Sequence, residues 1–136
     1  NDGFRDIVGQ MGLDYLLIDT HPGLNEETLL SIAISDALVI ILRPDQQDYQ
    51  GTAVTVDVAR KLDVPKMLMV VNKTPSAFDF EDVRCRVEQT YNVPVVAVLP
   101  HADEMMTLAS SGIFSFKYPD HPITKGLEAV VAQITG

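Results

Sequence analysis

Four short, nearly continuous apolar runs punctuate the chain, at residues 15–18, 38–42, 67–71 and 93–99. Continuous rather than alternating hydrophobicity is the pattern of strands buried on both faces, as in a parallel sheet covered by helices. The intervening stretches have helical spacing. Asn25 stands where a cap belongs, ahead of Glu26, Glu27, Leu29, Leu30, Ala33 and Ile34, and the two glutamates suit the positive end of a helix dipole. Residues 51–62 place Val54, Val58 and Leu62 four apart, with Asp57 and Lys61 as an i,i+4 pair. Residues 79–91 align Phe80, Val83, Val87 and Tyr91 in one stripe. Asp103 can cap a short helix ending near Gly112, and Asp120 with Pro122 opens a last helix carrying Ile123, Leu127, Val130 and Ile134.

The predicted order is a helix remnant followed by β-α-β-α-β-α-β-α-α. Such alternation implies right-handed crossovers and an α/β fold with a parallel sheet. Asp63-Val64-Pro65 and Asn92-Val93-Pro94 are brief helix-to-strand turns rather than linkers, so residues 1–136 are expected to form a single domain. No apolar run approaches the length of a membrane span.

Composition narrows the class. With 46% hydrophobic and 21% charged residues, the chain has apolar material for a core and is not a disordered tail. A formal net charge of −9 makes it a poor non-specific ligand for nucleic acid or anionic membrane, and no such contact is expected of this portion. The lone Cys85 excludes a disulfide scaffold and suits a reducing, cytoplasmic setting. His21, His101 and His121 have no metal-ligand spacing. Cys85 reads as an inert helical thiol, and Met67, Met69, Met105 and Met106 read as core filler.

In an open α/β sheet, ligands bind beyond the carboxyl ends of the strands. The chemistry is therefore sought just after each apolar run. The first run ends in Asp19-Thr20-His21-Pro22-Gly23. An Asp at a strand terminus can hold Mg²⁺ through water while the ion sits on nucleotide phosphates, and a glycine N–H can approach a phosphate closely. Asp19 could equally serve as a turn residue. The second run leads into Arg43-Pro44-Asp45-Gln46-Gln47-Asp48-Tyr49-Gln50-Gly51. The third leads into Asn72-Lys73-Thr74-Pro75. Guanine-specific GTPases carry Asp where Pro75 stands, so guanine is disfavoured, whereas the Asn72 amide can donate to N7 and accept from the N6 amine of adenine. The fourth ends in Pro100-His101-Ala102-Asp103, where Pro100 stops the ladder.

Taken together, Asp14-Tyr15-Leu16-Leu17-Ile18-Asp19-Thr20-His21-Pro22-Gly23, Pro44-x-Gln46-x-x-Tyr49-x-Gly51, Asn72-Lys73 and Leu99-Pro100 resemble the C-terminal portion of the MinD/ParA family, P-loop ATPases with a deviant Walker A motif. The resemblance implies a P-loop NTPase-like sheet of the SIMIBI type, with helices on both faces. It further implies that Asp19 orders Mg²⁺ through water and that Thr20, His21, Pro22 and Gly23 form switch II. By the same resemblance Asn72, Pro100, His101, Ala102 and Asp103 border adenine, and Asp45, Gln46, Asp48, Tyr49 and Gly51 face the second subunit of an ATP-bound homodimer. Family members use ATP hydrolysis to position cellular cargo in cell division or in chromosome and plasmid partition, on a membrane or nucleoid.

His21 departs from the small residue usual at its position. More consequentially, the family's Lys-Gly-Gly-x-Gly-Lys-Thr loop is not found in these residues, nor is switch I with its catalytic Asp. The expectation is a portion of a longer chain, without its P-loop strand and inactive alone. A non-catalytic regulatory or scaffold domain that kept the fold is the alternative. A receiver-type signalling domain lacks support, because the required acidic pair and the Lys after the last strand are not supplied. Cargo and activator are not legible.

Overall fold

A computed structural model describes residues 2–136. The elements run α1 (Asp2–Met11), α2 (Glu26–Ile34), β1 (Ala37–Leu42), α3 (Gln46–Lys61), β2 (Lys66–Thr74), α4 (Phe80–Tyr91), β3 (Val95–Pro100), α5 (Asp103–Leu108), α6 (Phe114–Lys117) and α7 (Pro122–Thr135). The three strands form a parallel sheet in the order β1-β2-β3. Consecutive parallel neighbours require right-handed crossovers, so α3 and α4 lie on the same face.

Both faces are covered. Along β2, Met69 and Val71 pack with Ile40, Leu42 and Val95 beneath Val56 of α3 and Val83, Val87 and Tyr91 of α4. Val70 joins Ala97 and Leu99 on the opposite face, beneath Leu108, Phe114 and Ile123. This two-sided burial is why the strands read as continuous apolar runs. On the second face α7 packs against β3 through Gly126, where an added Cβ would overlap the Leu99 side chain.

The local signals explain most boundaries. Asn25 Oδ1 accepts the Thr28 N–H at 2.8 Å, and Asp79 Oδ1 accepts those of Glu81 and Asp82. Asp63 and Asn92 take left-handed conformations (φ 54° and 52°), ending α3 and α4 before the Val-Pro turns. Four boundaries differ from expectation. Asp45, whose Oδ1 accepts the Asp48 N–H at 2.9 Å, starts α3 five residues before Gly51. His121 rather than Asp120 caps α7, its Nδ1 accepting the Ile123 N–H. Ala102 holds the cap position of α5, with Asp103 inside the helix. The short α6 had no predicted counterpart.

One predicted strand is absent. Residues 15–18 are not assigned to a strand, and Leu17 is 84% exposed. A strand exists only through its ladder partners, and among the described residues β1 pairs with β2 alone, leaving nothing beside this run. The α3 stripe also needs correction: Val54 is exposed, and Thr52, Val56 and Ala59 form the buried face. Of the methionines, Met69 is fully buried, whereas Met106 is 70% exposed and is not core filler.

Candidate functional site

Parallel strands deliver their carboxyl ends to one edge of the sheet, and three of the four polar segments lie there. After β1, the backbone N–H of Arg43 donates to Asp48 Oδ2 at 2.8 Å. Its guanidinium donates to both oxygens of the same carboxylate, at 3.2 and 3.3 Å. Arg43 Nε is also 3.4 Å from Asp45 Oδ2. The Arg43 hydrogen bonds hold the Asp48 carboxyl below its ordinary range, and the same side-chain bond raises Arg43. Asp45, Gln46, Asp48, Tyr49 and Gly51 thus belong to the cap and first turns of α3 rather than to a loop.

Tyr49 anchors this end to the core. Its carbonyl accepts the Tyr91 hydroxyl at 2.8 Å, and the two rings lie 6.4 Å apart. Burial, with Tyr49 nearby, raises the Tyr91 hydroxyl above its ordinary value. A groove of about 410 Å³ opens between the first turns of α3 and α4, lined by Tyr49, Phe78 and Val83 together with Asp45, Asp82 and Arg86. A second groove, of about 390 Å³, lies at the opposite edge near Leu68, Pro94 and Gln133 and contains none of the predicted site residues.

β2 continues beyond its apolar run through Asn72, Lys73 and Thr74. Here the ladder is irregular: Val71 pairs with Val98 and Thr74 with Pro100, so Asn72 and Lys73 stand against the single Leu99. This is a bulge, a device that re-aims side chains at the rims of sheets. Lys73 takes φ 55°, in the left-handed region that disfavours a side chain. Asn72 Oδ1 accepts the Lys73 N–H at 2.9 Å, and its amide is half-buried at the rim. The Thr74 carbonyl accepts the His101 N–H at 3.0 Å. That bond ties the Asn72 bulge to the loop of Pro100, His101, Ala102 and Asp103, where His101 Nε2 lies 3.4 Å from Asp103 Oδ1.

Thr74 itself is fully buried, and its Oγ1 is the one buried side-chain polar atom without a hydrogen-bond partner among the described residues. Such an orphan costs about 1–3 kcal/mol. The sequence alone gives Thr74 no role, because the apolar run stops at Val71. Pro75 was the available signal, since a residue before proline is pushed into extended conformation and prolongs the strand.

The remaining segment precedes α2. Asp19, Thr20, His21, Pro22 and Gly23 are exposed in the connection between α1 and α2, with Gly23 at φ 100°. Among the described residues no hydrogen bond or ion pair reaches them, and no cluster of three or more His, Cys, Asp or Glu could hold a metal ion.

The architecture has a counterpart among solved structures. The whole chain superposes on 59% of the MinD cell division protein of Aquifex aeolicus, with a TM-score of 0.83 and 13% identity. The chain has a MinD-like α/β fold. In sequence, it is 23% identical over 125 residues to an uncharacterized ATP-binding protein of Methanocaldococcus jannaschii. That match takes in 91% of this chain and 47% of the relative, so the chain spans about half the length of the curated protein it matches. No protein-family model matches. Among the described residues, no helix is long and apolar enough to cross a membrane.

Proposed function

We propose that these residues form the base and metal side of an ATP site in a dimeric, MinD/ParA-like switch. The observation that carries the reading is the junction at the sheet's carboxyl edge. There a bulge presents Asn72, and the His101 N–H to Thr74 C=O bond draws in the Pro100 loop. The MinD-like fold and the ATP-binding relative support the same reading. Asn72, Pro100, His101, Ala102 and Asp103 border the adenine. Thr20, His21, Pro22 and Gly23 respond to the γ-phosphate, with the positive φ of Gly23 allowing its backbone to approach an anion. Asp45, Gln46, Asp48, Tyr49 and Gly51 face the second protomer.

Asp19 fits a magnesium ion in one specific manner. It is a solitary exposed carboxylate, engaged by no other group among the described residues. Mg²⁺ keeps several waters and takes few protein ligands when phosphates supply the rest, so Asp19 would hold it through water. The ion would neutralise charge on the transferring phosphoryl group. This chain's own contribution is to bind the base, orient Asp19 and carry the switch. The lysines that grip phosphates in this family have no counterpart in the 136 residues.

Titration of the ¹⁵N-labelled protein with Mg·ADP tests the site. The amides of Asn72, Lys73, His101 and Ala102 are expected to shift, and Asn72→Ala is expected to weaken binding about tenfold, ~1.4 kcal/mol. Shifts confined to other regions would refute the placement. The 136-residue chain is expected to turn over no ATP, and turnover would refute assigning the chemistry to a separate phosphate loop.

A further inference from the structure

The groove of about 410 Å³ between the first turns of α3 and α4 joins an apolar interior to a charged mouth. Tyr49, Phe78 and Val83 supply the interior. Val83 belongs to the buried core, and Tyr49 is tied to Tyr91 through its carbonyl, so two of the walls are fixed. Phe78 stands just ahead of the Asp79 cap, where an apolar residue ordinarily packs on the fourth helical residue, here Val83. It is nevertheless 46% exposed, so part of its ring is left uncovered at the mouth. The surrounding charges are only partly balanced. Asp45 has Arg43 at 3.4 Å. Asp79 uses Oδ1 on the N–H groups of Glu81 and Asp82. Asp82 and Arg86 are one turn apart, at a spacing that favours pairing. Neither is in an ion pair among the described residues, whereas Arg84 engages Glu81 at 3.5 Å. The aspartate caps also offset the positive helix ends that would otherwise draw an anion to this edge.

We propose that this groove docks a basic, apolar-anchored segment of another protein. A large apolar side chain enters between Tyr49, Phe78 and Val83, and lysine or arginine residues beside it face Asp79 and Asp82. Charge selects this occupant. The carboxylates at the mouth outnumber the lone guanidinium of Arg86 and favour a cation. The chain's net charge of −9 makes a second copy a poor ligand for an acidic mouth, and the same carboxylates repel an anionic lipid surface. A cleft of this size takes an anchor, with the rest of the partner lying over the rim. Asp45, Gln46 and Tyr49 share this end of α3 with the face proposed above for a second protomer, so the test separates the two occupants. The inference rests on the groove and does not depend on the nucleotide reading.

The test titrates the full ¹⁵N-labelled chain with a short synthetic amphipathic peptide of leucine, phenylalanine and lysine, and with its counterpart in which glutamate replaces every lysine. The lysine peptide is expected to shift the amides of Phe78, Asp82 and Val83, with an affinity that falls as salt is added. Phe78→Ala and Asp82→Lys are each expected to weaken it about tenfold. Both residues are exposed, and unchanged amide positions in β2 and β3 verify that the variants fold. The glutamate peptide is expected not to bind. Equal binding of the two peptides, shifts confined to other regions, or full binding by Phe78→Ala would overturn the proposal. Sedimentation velocity and co-sedimentation with phosphatidylserine vesicles cover the other occupants. Self-association or vesicle binding that Phe78→Ala abolishes, in a chain that ignores the lysine peptide, would assign the groove to a second copy or to lipid and overturn it too.

Discussion

Arg43 and Asp48 show how a single pair of side chains shapes the end of β1. One carboxylate receives both the backbone N–H and the guanidinium of Arg43, so the turn into α3 is closed by the residue that its cap places in the first helical turn. The pair is substantially exposed, with side-chain accessibilities of 53% and 27%, and contributes to local order more than to global stability. Its pH dependence has a definite sign. The folded state holds Asp48 below its ordinary value, so the unfolded chain binds the proton first as pH falls. The stabilisation is therefore complete above the unfolded carboxylate value of about 4 and is lost as pH falls further, through the folded value. Asp48→Asn is expected to flatten the acid limb of the melting-temperature profile below about pH 4. An unchanged acid limb would show that the pair is not coupled to folding.

At the scale of elements, the contact between α7 and β3 is the most exacting. Gly126 lets the helix backbone approach the strand, and a Cβ there would overlap Leu99 and press on Ala97. Alanine improves helix propensity by roughly 1 kcal/mol, but overpacking a buried contact costs about 1–3 kcal/mol. Gly126→Ala is expected to lower the urea midpoint with an unchanged denaturant slope. A raised midpoint would mean that Leu99 yields freely. The β2 bulge is the second such feature. Neither Gly126 nor the bulge breaks the pattern of apolar residues, so neither is visible without knowing which strand lies opposite.

Over the whole molecule, apolar surface is unevenly covered. β2 is enclosed on both faces, yet Ile41 of β1 is 66% exposed, and the outer edge of β1 has no ladder partner among the described residues. Exposed strand edges with apolar neighbours template association. Leu17 and Tyr15 add further uncovered area. The 136-residue chain is expected to self-associate with rising concentration, and Ile41→Lys is expected to reduce this without loss of helical signal. Sedimentation velocity reads the outcome, and a wild type that is monomeric at every concentration would contradict it.

Local chemistry accounts for much of this architecture. The runs at 38–42, 67–71 and 93–99 were legible as doubly buried strands because burial on both faces removes polar alternation. Asn25 announced its helix because a cap satisfies backbone donors within three residues. The edge carrying Asn72 and Pro100 followed from parallel order alone. Residues 15–18 carry the same local pattern as the real strands and are not one, since pairing depends on a neighbour that composition cannot supply. The orphaned hydroxyl of Thr74, the left-handed Lys73 and the close approach at Gly126 also lay beyond reach of the chain's pattern. Each is a relation between segments distant in sequence, set by how the strands align and how closely a helix descends on them.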